Sequence, residues 1–230
     1  MIFLQRPYEW VAASLESSVN HFPLIELVFN SVDKTILYYL IWLVLRAAYL
    51  LHRHRKTGKK IPIYKEGLLH ALFIYIVLLL QLTVFRNEET FWTVEYHKID
   101  WTAIHWLPLV DTVKLFYGDS GFSAWYNSWG NVVWFMPLGF VGPYLFRKKC
   151  SFLKVTAVGF LFSAMIEFLQ LIFQTGVTHI DDVFFNTLGA AIGYGIWVSS
   201  KKKAVQNGQL TIKEENNEKN NHYANKRKKN

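Results

Sequence analysis

Residues 155–173 read VTAVGFLFSAMIEFLQLIF, and residues 183–200 read VFFNTLGAAIGYGIWVSS. Each run is close to the roughly 20 apolar residues that a helix needs to cross the hydrocarbon core of a bilayer. With three similar runs upstream, the candidate spans are 35–51, 68–85, 129–146, 155–173 and 183–200. A barrel would show alternating polarity instead. Because a spanning segment must satisfy its own backbone groups, the sequence predicts an all-α, polytopic transmembrane helical bundle of about five spanning helices.

The net charge of +8 is distributed unevenly along the chain. The tail 201–230 holds nine of the 25 Lys and Arg residues but only three of the 17 Asp and Glu residues. Because this tail is rich in Lys and Asn and has few large apolar residues, we predict that it is disordered. The other basic residues flank the spans, where they suit anionic lipid headgroups. No nucleic-acid partner is therefore predicted.

The same basic residues predict the orientation of the chain in the membrane. Lys and Arg cluster in 53–65, in 147–154 and from 201 onward, and such clusters favour the cytoplasmic side. This places the N-terminus outside and the C-terminus inside. The predicted domains are an outer N-terminal segment 1–34, a transmembrane domain 35–200 and a basic cytoplasmic tail 201–230. Residues 22–34 either form an interfacial helix or extend the first span.

The outer loop 86–128 is unusually aromatic, with ten Phe, Trp and Tyr residues. Trp and Tyr favour the headgroup level of a membrane, where the ring is buried and its polar atom stays hydrated. The loop is therefore expected either to fold onto the membrane surface or to form a lid over an outward-facing site.

Polar residues follow one face of each of the last two spans. The fourth carries Gly159, Ser163, Glu167, Gln170 and Gln174, and the fifth carries or adjoins Asp182, Asn186, Gly189 and Gly193. At about 100° per residue, each set falls on a single face of its helix. Because a short turn joins the two helices, we expect the two faces to meet and form a polar pocket. An ionisable group within a span, such as Glu167, favours either a functional site or an ion pair.

The predicted ligand-binding residues lie toward the outer ends of the spans and are Arg86, Asn131, Glu167, Gln170, Asp182 and Asn186. The predicted helix-packing residues are Pro137, Gly139, Gly189 and Gly193. Small residues let helix backbones approach closely, and a proline within a helix kinks or locally breaks it. The alternative to a binding pocket is an ion pair between Glu167 and Arg86 that holds the bundle together.

The sequence predicts no metal site and no cofactor. His179, Asp181 and Asp182 come together in the chain, but they lack the spacing of a recognisable zinc motif. No nucleophile–base pair identifies a catalytic residue, so the sequence favours a protein that is not an enzyme. The single cysteine, Cys150, is expected to be an unreactive thiol.

Three ordered motifs resemble the VanZ-like family, which is named for a protein associated with teicoplanin resistance. The motifs are NVVWFMPLGF from Asn131, IEFLQ from Ile166 and DDVFFNTLGAAIG from Asp181. Arg86 after the second span also fits, whereas the turn before Asp181 lacks the arginine often seen there. The resemblance covers about residues 35–200. It implies a multi-pass protein of the bacterial cytoplasmic membrane, related to the cell envelope and to resistance against glycopeptide antibiotics.

Three functions remain open at this stage. The first is binding of an amphiphile at the outer leaflet, either a cell-wall lipid intermediate or a lipid-tailed glycopeptide. The second is an enzyme that acts on a lipid-linked envelope intermediate, with Glu167 as its general acid or base. The third is a transporter, although no internal repeat is visible in the sequence. The lipid bilayer is the predicted partner in every case, and a homo-oligomer is left open.

Overall fold

The computed structural model describes residues 1–15, 22–58, 62–86, 104–105, 121–146, 150–176 and 178–227. Within these ranges the chain forms six helices and one pair of two-residue strands. The helices are α1 Gln5–Leu15, α2 Phe22–Thr57, α3 Ile63–Thr83, α4 Gly121–Phe146, α5 Phe152–Phe173 and α6 Ile180–Arg227. The strands are β1 Ile104–His105 and β2 Thr178–His179, which pair in parallel. The predicted helical class is confirmed.

Three of the described helices, α2, α3 and α5, are long and apolar enough to cross a membrane. They indicate a membrane protein. Helices α4 and α6 cover the other two predicted spans, and crossing by these two helices stays a prediction, as does the orientation of the bundle.

Residues 22–34 are part of helix α2 and do not form a separate interfacial helix. The helix is continuous over 36 residues from Phe22, so this segment extends the helix of the first span. At 1.5 Å per residue it is about 54 Å long, which exceeds the roughly 30 Å of hydrocarbon in a bilayer. At least one end of α2 must therefore project beyond the hydrocarbon.

Helix α1 is tied to this extension by a buried carboxylate. Asp33, only 2% exposed, accepts hydrogen bonds from the backbone N–H groups of Ile2, Phe3 and Leu4 at 2.6–2.7 Å. These groups precede the first turn of α1, so the carboxylate acts as a helix cap supplied from another helix. The Tyr8 ring also contacts the Phe29 ring at 5.7 Å between centroids.

Helices α2 and α3 are antiparallel and are joined by an ion pair near their connection. Arg46 donates two hydrogen bonds to the Glu66 carboxylate at 2.7 and 2.9 Å. Arg46 is the only Lys or Arg residue within the predicted spans, and this ion pair gives it a partner. On the other side of α3, the buried core combines α3, α4 and α5 through Leu79, Val84, Phe135, Leu138 and Ile166.

Helices α4 and α6 lie backbone against backbone. A Cβ atom added at Gly139 would collide with the carbonyl oxygen of Ala190, and one at Gly189 would collide with that of Val132. A Cβ atom at Gly193 would collide with the carbonyl oxygen of Met136. Glycine is required at these positions because any larger residue would separate the two helices.

Pro137 lies inside α4, which remains helical through it, so the structure shows no local break at this position. A proline leaves the carbonyl four residues earlier without its helical donor. The next carbonyl, that of Trp134, accepts a hydrogen bond from the Tyr75 hydroxyl of α3 at 2.5 Å. This bond joins α3 to the turn of α4 that contains Pro137.

Two further predictions concern the outer loop and the tail. Apart from Arg86, β1 and the first residues of α4, the aromatic loop 86–128 lies outside the described residues. Helix α6 continues through Arg227, which differs from the expectation of a disordered tail. Lys, Gln and Glu are good helix formers, and no proline interrupts the sequence after Ser200, so the helix can propagate from the apolar segment.

Candidate functional site

The polar residues meet at one end of the bundle, which we call the polar end. It is formed where α3 and α5 finish, where α6 begins and around Asn131 of α4. Helix α5 ends at Gln174 in the left-handed conformation, with φ 50°, and this turn directs the chain toward β2. The short connection brings the start of α6 back beside the end of α5.

The first polar contact joins α4 to the start of α6. Asn131 donates a hydrogen bond from Nδ2 to Oδ1 of Asp182 at 2.7 Å. Asp182 lies in the first turn of α6, where a carboxylate is favoured by the free backbone N–H groups of the helix. The sequence named both residues, and the structure brings them together.

The second contact holds the turn between α5 and α6. Glu167 is 5% exposed, and its Oε2 accepts a hydrogen bond from the backbone N–H of His179 at 3.1 Å. Glu167 and Asp182 also lie near enough to repel each other electrostatically. The polar end thus gathers two carboxylates from adjacent helices.

The third contact is a buried pair between α5 and α6. Asn186 donates from Nδ2 to the Ser163 hydroxyl at 2.8 Å, and the exposed fractions are 5% and 0%. The oxygen of the same amide, Asn186 Oδ1, is buried and has no hydrogen-bond partner among the described residues. A buried acceptor without a donor is unfavourable and is usually explained by a ligand, a water molecule or strain.

The fourth contact links α5 to the end of α3. Gln170, 8% exposed, donates from Nε2 to the carbonyl oxygen of Thr83 at 3.2 Å. Arg86 follows three residues later and is exposed, and within the described residues it forms no salt bridge. The predicted alternative of a Glu167–Arg86 ion pair is therefore not what the described residues show.

The β-strand pair lies beside this cluster. The backbone of Ile104–His105 runs parallel to that of Thr178–His179, in the register 104 with 178 and 105 with 179. Since His179 is also the residue whose N–H binds Glu167, one part of the chain between α3 and α4 lies next to the polar end.

Among the residues that the structure describes, no group of three or more His, Cys, Asp and Glu side chains is placed to hold a metal ion. Cys150 lies between α4 and α5, away from the polar end, and burial raises the pKa of its thiol. A smaller fraction of it is thiolate at neutral pH, which lowers its reactivity.

Sequence reasoning missed several partners at this site. Ser163 was placed on the polar face but not named as a ligand-binding residue, and its pairing with Asn186 depends on how α5 and α6 align. No pattern in the sequence predicts that the backbone N–H of His179 donates a hydrogen bond to Glu167.

The profile of the family described as VanZ/LLP1 matches residues 72–201, which is more than half of the chain. The chain belongs to the VanZ/LLP1 family. The match begins within α3 and includes all the polar contacts described above, so the family domain contains the whole polar end. It starts later than the residue 35 expected from the motifs.

No curated protein and no solved structure matches the chain. Membership of the VanZ/LLP1 family therefore rests on the family profile, and the chemistry of the polar end has to be argued from the contacts of this chain.

Proposed function

We propose that this protein is a non-enzymatic protein of the bacterial cytoplasmic membrane that binds the polar part of an amphiphile at the outer leaflet. The amphiphile is either a lipid-linked cell-wall intermediate or a lipid-tailed glycopeptide, and binding lowers susceptibility to antibiotics of the teicoplanin type. The observation that carries the proposal is the buried Oδ1 of Asn186, which has no hydrogen-bond partner among the described residues and lies one helical turn after Asp182.

The composition of this cluster suggests the chemistry of its ligand. The carboxylates of Glu167 and Asp182 and the oxygen of Asn186 are all hydrogen-bond acceptors. A head group rich in donors, such as the hydroxyl, amide and amine groups of a sugar or a peptide, complements them. A hydrogen bond from such a donor removes the free-energy penalty of leaving a buried acceptor unpaired.

Arg86 adds a site of opposite charge at the edge of the cluster. Its guanidinium is exposed, and the Gln170–Thr83 hydrogen bond holds the end of α3 against α5 close to it. Guanidinium groups bind phosphate or carboxylate oxygens with two parallel hydrogen bonds. Arg86 is therefore suited to the phosphate of a lipid-linked precursor or to a carboxylate of a peptide.

A susceptibility experiment tests this function. Glu167→Gln and Arg86→Ala are expressed at equal levels in a sensitive Gram-positive host, next to the wild type. We expect both substitutions to remove most of the protection against a lipid-tailed glycopeptide, because Glu167→Gln replaces a carboxyl oxygen with an amide NH2 and Arg86→Ala removes the guanidinium. Binding of the same compound to purified protein should weaken by about tenfold, which corresponds to roughly 1.4 kcal/mol.

Glu66→Gln is the matched control, since it neutralises a partly buried glutamate at the opposite end of the bundle. This variant should retain protection. If Glu167→Gln and Arg86→Ala protect as well as the wild type, the polar end does not bind the compound. A glycopeptide of the same class without a lipid tail serves as the ligand control and should not respond to any of the variants.

A further inference from the structure

A second candidate site lies between the middle of α2 and the C-terminal half of α3. It is a groove with a volume of about 280 Å³, lined by four residues of α2, four of α3 and Phe85. Small-molecule sites usually occupy about 300–1,000 Å³, so the groove has room for one chain but not for a large head group.

The wall of the groove is mostly apolar and aromatic. The Trp42 ring stacks on the Phe73 ring with 4.5 Å between centroids and 12° between planes. Ile41 and Leu45 on the α2 side are 47% and 62% exposed. The groove is therefore open sideways, toward the region that lipid chains would occupy around a membrane-spanning α2.

Three of the lining residues, Tyr38, Trp42 and Gln81, carry a polar side-chain atom. Trp42 Nε1 is a donor and Gln81 Oε1 is an acceptor; both atoms are buried, and neither has a hydrogen-bond partner among the described residues. The Gln81 side chain is only 3% exposed. Unsatisfied polar groups are costly in hydrocarbon, where no water can replace the missing partner.

We propose that this groove binds an acyl chain that carries a secondary amide. The amide carbonyl accepts a hydrogen bond from Trp42 Nε1, and the amide N–H donates to Gln81 Oε1. An alkyl chain satisfies neither atom, and an ester satisfies only the tryptophan donor because it has no N–H. The apolar remainder of the chain lies along the stacked Trp42 and Phe73 rings.

This inference does not depend on the proposed function, because none of the polar-end residues lines the groove. The two sites are nevertheless connected. Phe85 lines the groove, and its ring contacts that of Phe173 at 5.8 Å between centroids, at the end of the helix that carries Glu167 and Gln170.

Photo-crosslinking tests the groove without any antibiotic. The full-length protein in phosphatidylcholine nanodiscs is exposed to three probes with equal chains and a diazirine at the same carbon. The probes contain a secondary amide, the corresponding ester or only methylene groups at the polar position. We expect the amide probe to label peptides of α2 and α3 about tenfold more than the alkyl probe, with the ester in between.

Two substitutions then assign the polar contacts. Trp42→Phe keeps an aromatic ring on Phe73 but removes the donor, and Gln81→Leu removes the acceptor. Each should reduce the excess labelling by the amide probe about fivefold. Tyr75→Phe is the control, because its hydroxyl contacts Trp134 of α4 and does not line the groove.

Equal labelling by the three probes would overturn the proposal, since ordinary lipid chains would then fill the groove. An unchanged amide preference in both variants would overturn it as well. Trp42→Phe is the conservative variant and decides the outcome if Gln81→Leu does not fold. In the folded wild type, the amide probe should also raise the Tm more than the alkyl probe does.

Discussion

At the scale of single residues, the polar end shows what sequence spacing can and cannot predict. The three- and four-residue intervals place Glu167 and Gln170 on one face of α5, whereas the structure pairs Gln170 with α3 and Ser163 of α5 with Asn186 of α6. The intervals do not identify partners, since these depend on helix alignment. The same spacing is compatible with a Glu167–Arg86 ion pair, whereas the structure gives Glu167 a backbone N–H and leaves Arg86 exposed.

The buried Ser163–Asn186 pair allows a test at this scale. Ser163→Ala removes the acceptor and leaves the Asn186 amide without its partner, so the free energy of unfolding should fall by about 0.6–2 kcal/mol, as is typical of hydrogen bonds between membrane helices. The measurement is equilibrium unfolding in mixed micelles of dodecyl sulfate and a mild detergent.

Ser199→Ala provides the comparison for this measurement. Ser199 is exposed on α6 and donates only within its own helix, to the carbonyl oxygen of Gly195. Its substitution should change stability by less than that of Ser163. Equal effects of the two substitutions would mean that the buried pair contributes nothing specific.

At the scale of helices, the contact between α4 and α6 depends on the absence of side chains. Its glycines could be named from the sequence because small residues four apart favour close helix approach. The partner helix could not be named, because a small-residue face carries no information about what packs on it. The structure identifies that partner as α4, because Gly189 and Gly193 lie against the carbonyls of Val132 and Met136.

Two glycines of the same helix give a matched test of this contact. Gly189→Ala places a methyl group against the Val132 carbonyl, whereas Gly195→Ala places one in open space. Overpacking costs about 1–3 kcal/mol, so Gly189→Ala should lower the free energy of unfolding by at least this amount. Gly195→Ala should be neutral or stabilising by up to about 1 kcal/mol, because alanine favours helices. The same unfolding assay measures both, and similar values for the two would contradict the close contact.

The Asp33 cap allows a second test at the helix scale. Asp33→Ala removes three hydrogen bonds that hold residues 2–4 against α2. We expect the amide hydrogens of these residues to exchange at least tenfold faster, as measured by hydrogen–deuterium exchange and mass spectrometry. Glu9→Ala, at an exposed acidic position on α1, should leave their exchange unchanged. Unchanged exchange in Asp33→Ala would show that the cap does not order this segment.

At the scale of the whole molecule, the Gln170–Thr83 hydrogen bond constrains the path of the chain. It joins the C-terminal ends of α3 and α5, so these two apolar helices run in the same direction. If both helices cross a membrane, the chain has to return between them. Helix α4, with 26 residues and a length of about 39 Å, is long enough to make this crossing. Five crossings stay a prediction, and the shared direction of α3 and α5 is a second reason for it beside the hydropathy of single segments.

Cysteine labelling tests the number and direction of these crossings. Cys150 is the only cysteine and lies between α4 and α5, on the predicted inner side. A membrane-impermeant maleimide should label it only after permeabilisation, at a pH above neutral because burial raises the pKa of its thiol. In a Cys150→Ser background, Gly176→Cys should be labelled on intact cells and Lys202→Cys should not. Labelling of Cys150 on intact cells would contradict a crossing by α4 in the predicted direction.

The contact between α4 and α6 also has a consequence for how the protein is made. These helices are separated in the chain by α5, so their glycine faces cannot meet until the ribosome has completed α6. Until then, Gly139 and the neighbouring carbonyls of α4 face lipid or the insertion machinery, and Asn131 lacks its Asp182 partner. A nascent chain stopped after α5 should therefore be a target for membrane quality control, because α4 would still lack its contact with α6.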